Sequence, residues 1–312
     1  MNNFLPARLP AYISAVAGSR LFTVGLLGFL IIAACLTPIF AKLTVAEISP
    51  LSLGFIRFGF AAILFYITAK ANKIKLNFER RDYPLLFLLA VLVIPLNQFF
   101  FLTGIKNSYA SHSGIIYSLN PVYAYILAIM IKSERFRFNK IISIALTVGG
   151  IFLVFYEGIS QTSINQNVMR GDFLLLFAVL TFSMYLTFGK KLIDKYGALK
   201  VSTFAFAWGT VFNIPAFIYD LHNFTLSNLT YKGITGFIFL VIVSYLGYFA
   251  WYYALKTNEV SKITTINNIA PVLTVLISVL FLNEPISLYF VIGGIITLIG
   301  VFLMHRATLE IL

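Results

Sequence analysis

Two short polar segments, each followed by a proline within a long apolar stretch, contain side chains that could bind a polar solute. Their imidazole, phenol, hydroxyl and amide groups supply both donors and acceptors: His112, Tyr117 and Ser118 before Pro121, and Thr264, Asn267 and Asn268 before Pro271. A proline inside a helix leaves the carbonyl four residues earlier without its usual donor, here at Tyr117 and Asn267. We predict that both segments line a solute site, although either proline could instead produce a simple packing kink.

An amide pair and a set of aromatic side chains are further candidates for the same site. Asn97 and Gln98 follow Pro95. The aromatic candidates are Tyr185, Trp208, Tyr245, Tyr248, Trp251 and Tyr252. Those at positions 245, 248 and 252 share one helical face, and their rings would suit a planar or aromatic solute. The alternative is an anchoring role, since aromatic residues make up 16% of the chain and commonly hold helices at membrane interfaces.

Arg57 is the one cation deep inside an apolar stretch. A charge in such a place usually faces a partner or a watery cavity, so Arg57 is a candidate partner for a solute carboxylate. It could equally bond helix-end carbonyls or extend along its helix to an interface. Glu134 and Glu284 stand at the starts of two predicted helices, where the helix dipole favours a carboxylate. For these two residues we predict capping or loop pairing.

The composition places these residues in a membrane protein. Of the 312 residues 60% are hydrophobic and 11% charged, with a mean hydropathy of +0.91, whereas a soluble chain has about 45–50% apolar and about 25% charged residues. The net charge of +12 does not indicate a nucleic-acid partner, because the basic residues form short clusters between apolar runs. The expected partners are the lipid bilayer and a small solute, with no nucleic acid, and the chain is expected to be a monomer or a weak homodimer.

Ten apolar stretches are long enough to cross a bilayer, for which about 20 helical residues are needed. Helices are expected because lipid offers no partner for free backbone groups, so the predicted class is an all-α membrane protein of ten transmembrane helices. The stretches are 21–41, 51–69, 83–105, 108–131, 138–156, 173–189, 201–219, 233–255, 263–282 and 286–304.

The basic residues also predict the orientation of these stretches. With a cytoplasmic amino terminus, 18 of the 23 Lys and Arg residues fall in cytoplasmic segments and 4 in external ones, as the positive-inside rule requires. The two terminal segments, 1–20 and 307–312, are then cytoplasmic, and the connector 157–171 is external.

The chain contains an internal repeat with an offset of 150 residues, so that 97–155 aligns with 247–305 without a gap. Aligned pairs include Pro121 with Pro271, Glu134 with Glu284, Thr147 with Thr297 and Gly150 with Gly300. Each half, 21–156 and 172–306, has five predicted spans, and an odd number makes the two halves antiparallel. Such inverted repeats build transporters that open one shared site to either side in turn. A duplicated scaffold with no transport role is the alternative.

Two absences bear on the chemistry. No Asp or Glu occupies the middle of a predicted span, whereas carriers driven by protons or sodium ions commonly place a carboxylate there. The pattern therefore predicts uncoupled transport or exchange, with His112 as the suspect if protons are coupled. The three histidines are far apart and Cys35 is the single cysteine, a spacing that resembles no zinc site. We predict neither a metal nor a cofactor.

Several short motifs follow one another in order along both halves. They are Ile48-Ser49-Pro50-Leu51, Ile56-Arg57-Phe58, Leu119-Asn120-Pro121, Ser133-Glu134-Arg135, Ala270-Pro271, Asn283-Glu284-Pro285 and Gly300-Val301. Over residues 21–306 the chain resembles the drug/metabolite transporter superfamily, specifically its ten-helix EamA-like branch.

The resemblance implies two inverted five-helix repeats around a cavity lined mainly by helices 1, 3, 4, 6, 8 and 9. It also implies a carrier in a bacterial inner membrane for amino acids, nucleosides or bases, vitamins, other metabolites or drugs, often moved outward. One departure is that spans six and seven match spans one and two poorly, and Arg57 aligns with Phe206. We therefore expect an asymmetric cavity.

Together these patterns predict a secondary transporter that exports an amino acid or a similar small metabolite by alternating access. Uptake of a larger planar compound, such as a vitamin or a nucleoside-like metabolite, is the alternative within transport. An enzyme is not expected, because the sequence shows no paired intramembrane carboxylates, no His/Asp cluster and no Ser/His/Asp arrangement. A channel would need a continuous polar stripe through several spans, whereas the polar residues form separate clusters.

Overall fold

The computed structural model describes the backbone of residues 20–134, 136–160, 166–224, 229–257 and 260–309. Side chains are described for 24–134, 136–138, 140–156, 166–224, 229–248, 250, 269–304 and 306. Within these ranges the regular structure is helical and contains no β-strand. The predicted all-α class is therefore confirmed.

Each predicted span overlaps one helix or one run of two to four consecutive helical segments. We group the helical segments of the described residues into α1 (Arg20–Val45), α2 (Pro50–Ala71), α3 (Arg80–Asn107), α4 (Ala110–Met130), α5 (Asn139–Ser160), α6 (Gln166–Tyr196), α7 (Ala198–Asn223), α8 (Tyr231–Thr257), α9 (Val260–Leu282) and α10 (Leu288–Leu309). Within the described residues, seven helices are long and apolar enough to cross a membrane, namely α1 to α4 and α6 to α8. The other three contain shorter apolar stretches, Lys140–Tyr156, Ile269–Leu282 and Leu288–Met304.

Prolines determine where several helices begin or change their winding. Pro50 opens α2, where its missing N–H costs nothing because the first helical donors have no intrahelical partner. In α3, Pro95 lies in a single π-helical turn, Leu92–Leu96. The predicted break beside Pro121 is present, since α4 consists of Ala110–Tyr117 and Asn120–Met130. Pro271, its repeat partner, lies inside the continuous helix α9.

Two apolar clusters hold the bundle together. One includes Leu102, Ile116 and Leu175, and so joins α3, α4 and α6. The other includes Phe58 and Phe206, whose ring centroids lie 5.3 Å apart between α2 and α7. Stacking and edge contacts of this kind stabilise helix pairs in lipid, where burial of apolar surface supplies little driving force.

Helices α5 and α10 approach most closely at glycines. Gly150 faces Gly293 and Thr297 with no room for a Cβ, and Gly300 faces Ser143 and Thr147 in the same way. Later residues of α5 contact earlier residues of α10, so the two helices run antiparallel. The contacts are also exchanged by the 150-residue offset, since residue 143 corresponds to 293, 147 to 297, and 150 to 300. Each threonine further donates to the carbonyl four residues earlier, at 2.7 Å for Thr147 and 2.8 Å for Thr297.

The bundle has two opposite ends, which we call the Glu284 end and the Lys195 end after a residue at each. Helix α6 runs from the first to the second, a distance of about 35 Å between Asp172 and Lys195 at 1.5 Å per residue. At the Lys195 end, Lys195 Nζ lies 2.7 Å from Asp82 Oδ2 and 2.7 Å from Glu79 Oε1. The hydrogen bond from Lys195 lowers the pKa of Glu79.

Candidate functional site

A cavity of about 280 Å³ lies near the middle of the bundle. It is lined by α1, α3, α4, α6, α8 and α9, the six helices that the family resemblance implies, and also by α2. Its polar lining consists of Thr37, Arg57, Asn97, Gln98, Ser113, Tyr117, Ser118, Asn120, Tyr248 and Thr274. The remaining surface is apolar or aromatic, as in most sites for small organic ligands.

The structure brings together six of the residues proposed from the sequence. These lining residues are Arg57, Asn97, Gln98, Tyr117, Ser118 and Tyr248. The side chains of Trp251, Tyr252, Thr264, Asn267 and Asn268 lie outside the described residues, although the backbone there is helical.

Four other predicted site residues do not line the cavity. Tyr185 is buried in the apolar cluster with Phe58, and Trp208 is 40% exposed beside Phe87. The hydroxyl of Tyr245 on α8 shares a hydrogen bond with the hydroxyl of Thr68 on α2. His112 lies at the Glu284 end. The residue type alone does not reveal which helix face a side chain occupies in a bundle that is packed on several sides.

Arg57 is buried, with 4% of its surface exposed, and does not extend to an interface. Its Nε donates to the hydroxyl of Ser244 on α8, which in turn donates to Leu240 O at 2.7 Å. The guanidinium carbon lies 5.0 Å from the ring centroid of Phe58. Among the described side chains, no carboxylate lies within ion-pair distance of Arg57, and its Nη1 has no hydrogen-bond partner. Arg57 is therefore a buried cation beside the cavity, and its Nη1 group has no acceptor among the described residues.

Asn97 and Gln98 form a second polar group on α3, directly after the π-helical turn. Asn97 Nδ2 donates to Ala178 O at 2.7 Å, and Gln98 Nε2 donates to Asn97 Oδ1 at 2.7 Å. Both side chains are buried, and Gln98 Oε1 has no partner in the described part of the chain. Single π-helical turns often mark functional sites because the extra residue redirects the side chains that follow.

Sequence reasoning missed two threonines that line the cavity. Thr37 donates to Ala33 O at 2.6 Å and Thr274 to Ala270 O at 2.8 Å, so each hydroxyl is satisfied by its own helix. Pro38, inside α1, is the signal that could have identified the first. The signal for Asn120 was present in the motif beside Pro121, and its Oδ1 accepts a hydrogen bond from Ser183 on α6 at 2.7 Å.

The Glu284 end contains a buried polar network between the two halves of the chain. Glu284 Oε1 accepts the N–H of Ala110 at 2.7 Å, and Oε2 accepts the N–H of Ser111 at 2.9 Å and its hydroxyl at 2.7 Å. The carboxylate therefore caps the amino terminus of α4, where the helix dipole favours negative charge. The predicted capping role holds for Glu284, but the capped helix is α4 and not the helix that Glu284 precedes.

A His/Asp pair lies in the same network. His112 Nδ1 is 2.9 Å from Asp172 Oδ2, and the Ser108 hydroxyl donates to Asp172 Oδ1. Both members of the pair are 2% exposed. One expectation is thereby corrected, because a His/Asp pair does exist. Asp172 lies near the start of α6, which begins at Gln166 and not at residue 173. The Ser108 proton is directed at the carboxylate, which is not the serine-to-imidazole contact of a nucleophile relay.

Comparison with known proteins gives matches over most of the chain. The sequence model of the EamA-like transporter family matches residues 22–156 and 169–306. An uncharacterized transporter of Archaeoglobus fulgidus is 26% identical over 266 residues, 85% of this chain and 92% of the relative. The uncharacterized transporter YyaM of Bacillus subtilis is 28% identical over 267 residues, 84% of this chain and 86% of the relative.

Two further comparisons concern a named activity and the fold. A probable terminal-alkyne amino-acid exporter of Streptantibioticus cattleyicolor is 23% identical over 229 residues, 73% of this chain and 75% of the relative. One crystal structure of a protein superposes with a TM-score of 0.62 over 93% of this chain and 99% of that chain, at 14% identity. At that identity the likeness shows a common fold.

Proposed function

Because the chain belongs to the EamA-like transporter family, we propose that it exports an amino acid or a similar small metabolite across a bacterial inner membrane by alternating access. The observation that carries the proposal is the central cavity, which both halves of the chain line with a few polar groups in an apolar wall. A site between two repeats near the middle of the membrane is the arrangement that secondary transporters use. The amino-acid exporter among the relatives supports both the substrate class and the direction.

Alternating access requires two halves of opposite orientation, and the contacts of α5 and α10 support this. The two helices run antiparallel and exchange equivalent contacts, as Thr147 faces Gly300 and Thr297 faces Gly150. Such reciprocal contacts are typical of a two-fold relationship between equal units. They support a plan of ten spans in two inverted five-helix repeats.

The network at the Glu284 end supports a conformation that is closed toward the outside. Glu284 and Asp172 belong to the second half and bond Ser111, Ser108 and His112 of the first. Lys42 adds a hydrogen bond of 3.1 Å to Lys106 O across α1 and α3. The positive-inside rule assigns this end to the exterior and both termini to the cytoplasm, so we call the network the external gate.

For the energy source we propose exchange or uncoupled flux, since no described Asp or Glu lines the cavity. The buried His112–Asp172 pair favours proton coupling as a second candidate. Such pairs within membrane spans commonly belong to proton relays. Both candidates involve the same cavity and differ in what drives the movement.

Transport by purified protein in proteoliposomes tests the proposal. Vesicles loaded with an unlabelled apolar amino acid are expected to accumulate the labelled compound by counterflow, with saturation at high concentration. Vesicles without protein serve as the control. Absence of saturable flux for every amino acid and related metabolite tested would refute the proposed function.

A further inference from the structure

We propose that Arg57 and Gln98 bind the carboxylate and the amino group of the transported solute, so that the substrate is an α-amino acid with an apolar side chain. This inference rests on the proposed transport function and deepens it. It begins with Arg57, which is 4% exposed and lines the cavity. A buried charge is costly unless it is paired, and removal of one partner of a buried ion pair is strongly destabilising. A solute carboxylate would supply the missing partner.

The charge of the residues that line the cavity limits the charge of the anion that the solute can carry. Arg57 is the only charged side chain among the described residues that line the cavity. A phosphate monoester or a dicarboxylate would bring about two negative charges against one cation, whereas a single carboxylate is matched. Ser244 binds the guanidinium through Nε, and Nη1 is buried without a hydrogen-bond partner among the described residues.

The orientation of the Gln98 amide follows from the hydrogen bonds behind it. Ala178 O can only accept, so Asn97 must point its Nδ2 toward that carbonyl. Asn97 Oδ1 then accepts from Gln98 Nε2, and the remaining Gln98 Oε1 is an acceptor without a partner in the described residues. A buried acceptor in this position calls for an N–H or O–H donor on the solute.

The two groups are neighbours across α2 and α3. A Cβ at Gly54 would lie 3.4 Å from Gln98 Cβ, so Gln98 packs against α2 at this residue. Arg57 follows Gly54 by one helical turn and therefore lies on the same face of α2, about 5–6 Å further along. We therefore expect the donor for Gln98 and the anion for Arg57 to lie close together on the solute, as they do in an α-amino acid.

The remaining lining residues determine which amino-acid side chain the cavity prefers. Phe101, Phe182, Leu186 and Tyr248 provide apolar and aromatic surface. The described lining residues include no second cation that could pair with an acidic side chain. They also include no carboxylate that could pair with a basic one. Apolar amino acids are therefore preferred over aspartate and lysine.

The test combines variants with solute analogues in a binding assay on purified protein, so that binding is measured separately from transport. Leucine and phenylalanine represent the substrate class, leucinamide lacks the carboxylate, and 4-methylpentanoate lacks the amino group. Wild-type protein is expected to bind the two amino acids at least tenfold more tightly than either analogue. Arg57→Gln is expected to weaken amino-acid binding about 100-fold. Gln98→Leu should weaken it about tenfold and leave the binding of 4-methylpentanoate unchanged.

Lys190→Gln is the matched control, because Lys190 is exposed and its loss removes the same charge outside the cavity. Arg57→Lys, which keeps the charge, should recover part of the affinity. Thermal unfolding of each variant shows whether the fold is intact.

Equal binding of leucine and leucinamide would overturn the inference, as would wild-type affinity in Arg57→Gln or no binding of any apolar amino acid. If wild-type vesicles transport a solute without a carboxylate as fast as an amino acid, the inference fails and the proposed function stands. If wild-type vesicles transport nothing, the proposed function itself fails.

Discussion

The Glu284 carboxylate accepts both the backbone N–H and the side-chain hydroxyl of Ser111, and so fastens the start of α4 to the segment before α10. The 150-residue offset relates Glu284 to Glu134 and Ser111 to Ser261. Glu134 is about half exposed, and Lys140 Nζ lies 3.7 Å from its Oε2. We infer that Glu284 holds the external gate in this conformation and that Glu134 caps the start of α9 when the opposite end closes.

Replacing Glu284 with glutamine is expected to open the external gate. The neutral amide loses one acceptor and the charge, and hydrogen bonds to charged groups contribute about 1.5–3 kcal/mol each. The rate of labelling of Ser113→Cys in a Cys35→Ala background, by a membrane-impermeant maleimide added outside, should rise about tenfold.

Glu134→Gln is the matched control for this experiment. It removes the same charge at the repeat-equivalent position and should not raise labelling from outside. Equal increases in both variants would contradict a gate held by Glu284.

Much of the helix plan could be predicted from the sequence because lipid imposes simple requirements. The length of the apolar stretches was enough to locate α1 to α4, and the matching motifs at Pro121 and Pro271 revealed the internal repeat. The start of α6 was placed seven residues too late, since Asp172 and Arg170 interrupt the apolar run. A carboxylate that is paired inside the bundle has no distinct sequence pattern, which is why the His112–Asp172 pair was missed.

The lining of the cavity was predictable only in part, because the sequence does not reveal which helix face a residue occupies. Asn97, Gln98 and Tyr117 are polar residues in apolar surroundings, and they do line the cavity. Tyr185 and Trp208 are of equally suitable types but face the core and the outer surface. The cavity residues and these two aromatic residues have similarly apolar neighbours in the sequence. Only the packing of α6 and α7 against the other helices determines which side chains face the cavity.

The inverted plan predicts that the connector 157–171 and the tail 307–312 lie on opposite sides of the membrane. Single cysteines placed in each segment of a Cys35→Ala protein should differ in labelling by an impermeant maleimide on intact cells. Only the connector cysteine is expected to react, because an odd number of spans separates the two segments. Reaction of both on the same side would contradict antiparallel halves.

The His112–Asp172 pair provides a test of what drives transport. Under uncoupled flux, a pH gradient across proteoliposomes should change the rate of amino-acid export by less than about twofold, in wild type and in Asp172→Asn alike. Under proton coupling, the gradient should drive accumulation that a protonophore abolishes, and Asp172→Asn should lose that accumulation while it retains counterflow. Measuring both activities in the same vesicles separates a coupling role from a role in closing the external gate.

The close contact of α5 and α10 predicts equal sensitivity at two equivalent glycines. Gly150→Ala places a methyl group against Gly293 and Thr297, and Gly300→Ala places one against Ser143 and Thr147. Overpacking of this kind costs about 1–3 kcal/mol, so each variant should unfold at a lower temperature than wild type in detergent, and the two decreases should be similar. Gly149→Ala is the control, because nothing lies within 4 Å of a Cβ at that position. Its stability should be unchanged or slightly higher, since alanine favours the helix over glycine. A large decrease in Gly149→Ala, or in only one of the other two variants, would contradict the reciprocal contact.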